Sequence, residues 1–446
     1  MTSAATPDLL TSRAHEGRPI DAVGLLSFYL FLLMIIPAWL VYGPLGAAGA
    51  PSAIFALALL GVYLLTWLHP ALKPARGIQP VRRIAIIFGC VILASYVSAN
   101  RSALPVLELN AADRAILSTC GWLGVLFLAA DSILGFDRLN TLLRRLVMGA
   151  ATLSALAFLQ FYTGLNLANR ISIPGLSSLL GTGTDLTARA SFYRPSATAL
   201  SPIELSSVLV ACLPIAIHQA RFAEPGLRFR RWAQAAVIGL GIPITVSRTG
   251  ITALIAVALV MLPSWPRRER RIGIAAGLAG AGLCYLTVPG LLGTFLTLFD
   301  QTGSASRVNA FSQSAPFIGQ HPWLGLGFGT LLPQTYFFTD DQYLNSLVST
   351  GILGLLALLA FFVTGFFTAR SARRATADPE IRDLAQMMAA SVTAVAVSFA
   401  TLDAFAFPII AGLAFLMIGC IGAAWRLTRA QPYADRVAIE PVPEMA

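Results

Sequence analysis

Charge is what this chain has least of. Charged residues make up 12% of its 446 positions, against roughly a quarter in an ordinary soluble domain, while 56% are hydrophobic. A water-exposed globule cannot cover that much apolar surface, which argues against a soluble enzyme or binding module. Cysteine is sparse too. Cys90, Cys120, Cys212, Cys284 and Cys420 lie far apart inside apolar blocks, with no CxxC pair. They read as small core residues rather than disulfide partners or metal ligands. No DxD-like pair or His/Cys cluster offers a metal site, so neither a metal nor another cofactor is expected. Internal repeats and low-complexity tracts are also missing, and an inverted-repeat transporter gains no support.

What the chain does have is a succession of apolar blocks of about 20 residues, enough to cross about 30 Å of hydrocarbon at 1.5 Å per residue. They predict spans over 22–42, 50–68, 84–99, 116–134, 143–163, 201–219, 233–247, 250–265, 272–288, 344–368, 385–403 and 405–425. The expected fold is an all-α, polytopic transmembrane bundle of about 12 spans. A membrane domain over 22–425 would lie between cytoplasmic tails at 1–21 and 426–446. The first block has no small-residue cleavage site after it, so a removed leader is not expected.

A net charge of +10 would suit a nucleic-acid binder, but 30 of the 31 basic residues are Arg and most sit in short loops between blocks. There they report topology. With both termini cytoplasmic, 24 basic residues fall inside, including Arg228, Arg230 and Arg231 and the run Arg267, Arg268, Arg270 and Arg271, and seven fall outside. One span more or fewer would scramble that bias. The expected partner is the bilayer, with no nucleic acid.

Two outer segments, about 164–200 and about 289–343, are too long to be mere connections. Their aromatic and aliphatic content predicts an ordered cap. The outer basic residues are Arg101, Arg114, Arg170, Arg189, Arg194, Arg248 and Arg307. Arg248, in ITVSRTGITALIAV, has apolar sequence on both sides, where an ionised guanidinium costs at least a few kcal/mol unless paired or facing water. It is either a snorkelling residue at a tight turn or a ligand for an anion. Arg194 follows Phe192 and Tyr193, and Pro195 and Pro202 keep its surroundings out of regular helix; a lipid headgroup or a substrate would suit it. Glu204, in the first turn of a span, either complements the helix dipole, pairs with an outer Arg, or binds substrate hydroxyls.

In the second segment, Arg307 lies on a helix predicted over 304–318. Gly325, Gly327 and Gly329 mimic part of a phosphate-binding fingerprint, but no strand precedes them, and a tight turn is the better reading. Asp340 and Asp341 precede a long span, as helix caps or with one as a general base. His321, before Pro322, reads as structural; His15, His69 and His218 fall on the cytoplasmic side.

At these residues the sequence resembles the O-antigen ligase and polymerase superfamily, polytopic glycosyltransferases acting on polyprenyl-diphosphate-linked glycans at the outer face of the bacterial plasma membrane. RPSATALSPIELSSVLVACLPIAI is similar to the family's Arg before a Pro-containing helix start, and SRTGITALIAV to its Ser-Arg-(Ser/Thr)-Gly helix opening. SRVNAFSQSAPFIGQHPWLGLGFGT and DDQYLNSLVSTGILGLLALLAFF look like its large outer loop and closing helix. The likeness covers about 190–368. It implies that Arg194 and Arg248, joined by Arg307, bind the donor diphosphate. It also points to Asp340 as base, three residues before Tyr343, where many members carry histidine and others aspartate. The reaction implied is metal-independent transfer from the lipid carrier to a glycan, lipid or protein acceptor. The alternatives are a transporter or lipid-glycan flippase, and a non-catalytic envelope assembly subunit. Mid-span charge is nearly absent, which counts against a through-membrane path.

Overall fold

Backbone groups in hydrocarbon must be paired within their own segment, and the apolar blocks accordingly become helices. The computed structural model describes residues 21–68, 77–102, 104–179, 188–189, 192–287, 302–337 and 339–439. The helices are α1 (Ala22–Ile35), α2 (Pro51–Leu68), α3 (Pro80–Asn100), α4 (Val106–Ser132), α5 (Phe136–Thr163), α6 (Pro202–Arg221) and α7 (Arg228–Ile244). They continue with α8 (Arg248–Met261), α9 (Arg267–Thr287), α10 (Thr302–Gln320), α11 (Gln342–Arg374), α12 (Pro379–Phe399) and α13 (Pro408–Ile439). Leaving out α10, they match the apolar blocks one for one. Seven are long and apolar enough to cross a membrane on those grounds alone. Of the others, α1 and α8 are apolar but shorter, and α7, α9 and α12 open on charged turns. The chain is an integral membrane protein.

Large apolar side chains on its outer surface agree with that. On α3, Ile86, Leu93 and Val97 form an exposed stripe that also carries Cys90. Cys212 and Cys420 are buried as expected, but Cys90 faces away from the core because its helix position falls on this stripe. The side chain of Cys284 lies outside the described residues.

α13 is the central rod, with 89% of its apolar window buried. Around it Phe88, Phe361, Phe415, Trp122 and Phe405 stack with ring centroids 5.0–6.3 Å apart. At the arginine-rich end, polar latches join the helices. His218 meets Asp383 at 2.8 Å and Arg221 bridges Asp383 and Glu269, tying α6, α12 and α9. Arg82 and Tyr63 both donate to Asp131, at 2.9 and 2.7 Å, tying α3 and α2 to α4.

The opposite end carries the cap. α1 stops at Ile35, short of the predicted 42, because Pro37 cannot continue it. The chain beyond it instead gives Leu40–Val41, paired antiparallel with Ser177–Ser178 of the first long segment. In the second segment α10 covers the helix predicted over 304–318. Residues 288–301 and the side chain of Arg307 lie outside the described residues, as do residues 1–20.

The glycine-rich turn is a backbone clamp. α11 is interrupted at Gly351, whose φ is +68°, and the turn docks at that break. Leu326 and Gly327 N–H donate to the carbonyls of Val348 and Ser349 (3.0 and 2.8 Å), and Ile352 N–H donates to that of Pro322 (2.8 Å). From α3, the Ser95 hydroxyl donates to the carbonyls of Leu324 and Ser349. Gly325 also has φ +68°, and a Cβ there would lie 2.4 Å from the Ser349 carbonyl carbon. Gly325→Ala should therefore cost at least about 2 kcal/mol, read as a lower unfolding temperature in detergent; wild-type stability would show that the turn is not seated on α11.

Candidate active site

α6, α8, α11 and α13 all begin at the capped end, so their positive dipole ends gather there. Arg194 lies in the irregular stretch before α6, half-buried, and its Nε–H donates to the Thr245 carbonyl at 3.2 Å. Thr245 sits in the short turn between α7 and α8, three residues before Arg248, the half-buried first residue of α8. The two Arg-bearing segments therefore abut.

Both are held in costly backbone conformations. Val246 has φ +48° and Ala197 φ +54°, a region that a β-branched residue in particular adopts only when its surroundings impose it. Gln160, buried on α5, fixes Ala197 from both sides: its Oε1 accepts from Ala197 N–H at 2.8 Å and its Nε2–H donates to the Ala197 carbonyl at 3.3 Å. The Val246 turn is anchored by Arg194 and by close packing of α8 on α6, where a Cβ on Gly250 would lie 3.1 Å from Ser206 Cβ. Between them, the Ser247 hydroxyl is buried and has no hydrogen-bond partner among the described residues.

Glu204 is fully buried, and its oxygens accept from three backbone N–H groups. Oε2 takes Leu200 (2.9 Å), and Oε1 takes Ile409 (2.8 Å) and Ile410 (3.3 Å) at the start of α13. This is the dipole-complementing reading, extended to a second helix; the carboxylate is turned to backbone amides rather than to an outer Arg.

The acidic pair at α11 splits. Asp341 Oδ1 caps the helix, accepting from Tyr343 and Leu344 N–H, while Asp340 is exposed. Asp340 lies within electrostatic reach of Asp403, in the α12–α13 connection. Burial, with a smaller contribution from the Asp340 charge, pushes the Asp403 carboxyl up to about 7, opposed by the hydrogen bond it accepts from Asn345 Nδ2 at 3.2 Å. Gln342 Oε1, accepting from Phe405 N–H at 2.8 Å, fixes the same connection to α11. Asp403 was legible only as a carboxylate closing an apolar block, and Gln160 and Asn345 only as isolated polar residues; none was among the predicted site residues. Of the other outer residues, Arg101, Arg170 and His321 are exposed, Arg114 packs on Gly46, and the side chain of Arg189 lies outside the described residues.

Residues 233–359 match the family model for O-antigen ligase. Over that region the chain is similar to O-antigen ligases. A curated O-antigen ligase of Pseudomonas aeruginosa is 26% identical over 211 residues, 42% of this chain and 51% of that protein, so the match spans about half of the relative's length. The family match runs from α7 into α11 and takes in Arg248, Arg307, His321, Asp340 and Asp341, whereas Arg194, Glu204 and Asp403 come from flanking segments. Glu204→Ala should leave three buried N–H groups unpaired, destabilising the fold by about 3–5 kcal/mol. Low yield and a lowered unfolding temperature in detergent are expected, and a normally stable but inactive variant would contradict the capping role.

Proposed function

We propose that the chain is a membrane glycosyltransferase that ligates or polymerises polyprenyl-diphosphate-linked glycan on the outer face of the bacterial plasma membrane, with both termini cytoplasmic. The observation that carries this reading is the docking of the Arg194 segment on the strained turn that presents Arg248, at the end of the bundle where four helices begin. Planar guanidinium donors suit a diphosphate because they grip its oxygens in bidentate fashion. The helix N-termini add positive potential, and the unpartnered Ser247 hydroxyl adds a donor. Arg307, on α10 in the cap, would join them over the donor.

In the proposed reaction the acceptor hydroxyl oxygen attacks the anomeric carbon. The bond from that carbon to the diphosphate oxygen breaks, and the lipid diphosphate leaves with the electron pair, stabilised by the arginines as its charge develops. The hydroxyl proton passes to Asp340, exposed at the mouth of α11. A single displacement inverts the anomeric configuration. The step asks only for charge beside the leaving group and a base beside the acceptor, both of which these residues provide, and so it is written without a metal.

Arg194→Ala and Arg248→Ala should each lower transfer at least about 100-fold at unchanged membrane abundance, assayed with lipid-linked donor; full activity in both would remove the diphosphate role. Asp340→Asn should be far more damaging than Asp341→Asn, and the opposite ranking would move the base. Deletion of the gene separates the subclasses, since stalled single repeat units mark a polymerase and full-length polymer left on its carrier marks a ligase.

Asp403 also predicts a pH dependence of stability. Its folded pKa is raised above the ordinary carboxylate value, so the proton it holds stabilises the fold fully below about pH 4, and that stabilisation is lost as pH rises through about 7. Asp403→Asn should flatten this slope and raise the unfolding temperature relative to wild type by about 2–4 °C at pH 8. Parallel wild-type and variant profiles would show that Asp403 does not hold its proton.

A further inference from the structure

At the end of the bundle opposite the cap, α5 and α7 enclose a cleft that the proposed reaction does not use. At mid-height the helices touch: the Ser154 hydroxyl donates to the Val237 carbonyl at 2.7 Å, across from Gly241. Toward the arginine-rich end a cavity of about 200 Å³ opens between them, lined by Thr141, Arg144, Arg145, Met148, Arg230, Arg231 and Gln234. Four guanidiniums thus face one small space. Arg231 feels the charges of both Arg144 and Arg230, and its Nη1–H donates to Gln234 Oε1 at 3.1 Å. Among the described residues no carboxylate pairs with any of the four, although Arg138, about two turns away on α5, has Asp21. Nor does the helix itself offset them. Arg228, Arg230 and Arg231 occupy the first turn of α7, where the dipole is positive, and that turn holds no acidic residue.

Like charges gathered at the unfavourable end of a helix are stabilised by an anion between them. The wall of the cleft is partly apolar, through Met148, which is 51% exposed. A phosphate oxyanion beside acyl chains fits both halves of that surface, whereas a free phosphate uses only one.

We propose that the α5–α7 cleft binds the phosphodiester headgroup of an anionic phospholipid from the adjacent leaflet, with Arg144, Arg145, Arg230 and Arg231 as its ligands. This site is independent of the glycosyltransferase reading.

The test uses the full chain purified in neutral detergent, with phosphatidylglycerol, phosphatidylcholine or inorganic phosphate added. Unfolding temperature and lipid retention by native mass spectrometry are both followed. Phosphatidylglycerol should be retained and should raise the unfolding temperature, and phosphatidylcholine and inorganic phosphate should not. Arg144→Gln combined with Arg231→Gln should weaken phosphatidylglycerol retention by about tenfold or more. The control pair Arg267→Gln and Arg268→Gln should keep it. Equal retention of the two lipids, or equal loss in the control, would overturn the proposal. Equal stabilisation by inorganic phosphate would replace it with a small-anion site. Mass spectrometry reads the folded fraction alone, so reduced yield of a variant would not mask the result.

Discussion

The capped end of this protein depends on one strained connection. α7 and α8 are joined by so few residues that Val246 is forced into a left-handed conformation, and Arg248 starts the next helix with no loop in which to relax. An isolated turn of this kind costs about 1–3 kcal/mol and persists only where neighbours over-determine it. Here the neighbours are the Arg194 side chain on the Thr245 carbonyl and the close approach of α8 to α6 at Gly250. The strained turn fixes where the backbone of α8 begins and so where Arg248 is presented. Pre-organised charge of this kind needs no reorganisation when negative charge develops beside it.

Around that turn the carboxylates divide between scaffold and solvent. Glu204 and Asp341 are spent on helix N-termini, where water is scarce and an unpaired amide is expensive. Asp340 is exposed, and Asp403 sits behind it in the connection that Asn345 and Gln342 hold against α11. The long loops are kept in place by backbone bonds and by small apolar clusters, Leu331, Phe337 and Val348 at the second and Trp39, Leu40 and Ala168 at the first. The glycine-rich turn seated at Gly351 is the clearest case.

How much of this the sequence discloses follows from what sets each feature. Apolar length sets the spans, because lipid leaves the backbone no partner but its own helix, and each predicted block is a helix. Their ends follow polar local chemistry that hydropathy does not weigh. α4 starts at Val106, ten residues before its apolar block, and carries Glu108, Asp113 and Arg114 on helix, while α1 yields to a proline early. Arg194 and Arg248 stand out because each is a charge in the wrong surroundings. Glu204 left alternatives open, since a carboxylate in a first turn looks the same whether it binds backbone or ligand. Asp403 and Gln160 gain meaning only from tertiary neighbours far away in the chain, and no local pattern marks them.

The central claim, that the Arg194 and Arg248 segments together hold a lipid diphosphate at the capped end, is tested most directly by photo-crosslinking. A polyprenyl diphosphate carrying a photoreactive group next to its phosphates would be added to membranes, and the labelled peptides mapped by mass spectrometry. Labelling concentrated in the peptides around 194–206 and 245–254, and competed by unlabelled donor, is the predicted result. Labelling confined to the arginine-rich end, or spread without competition, would contradict it.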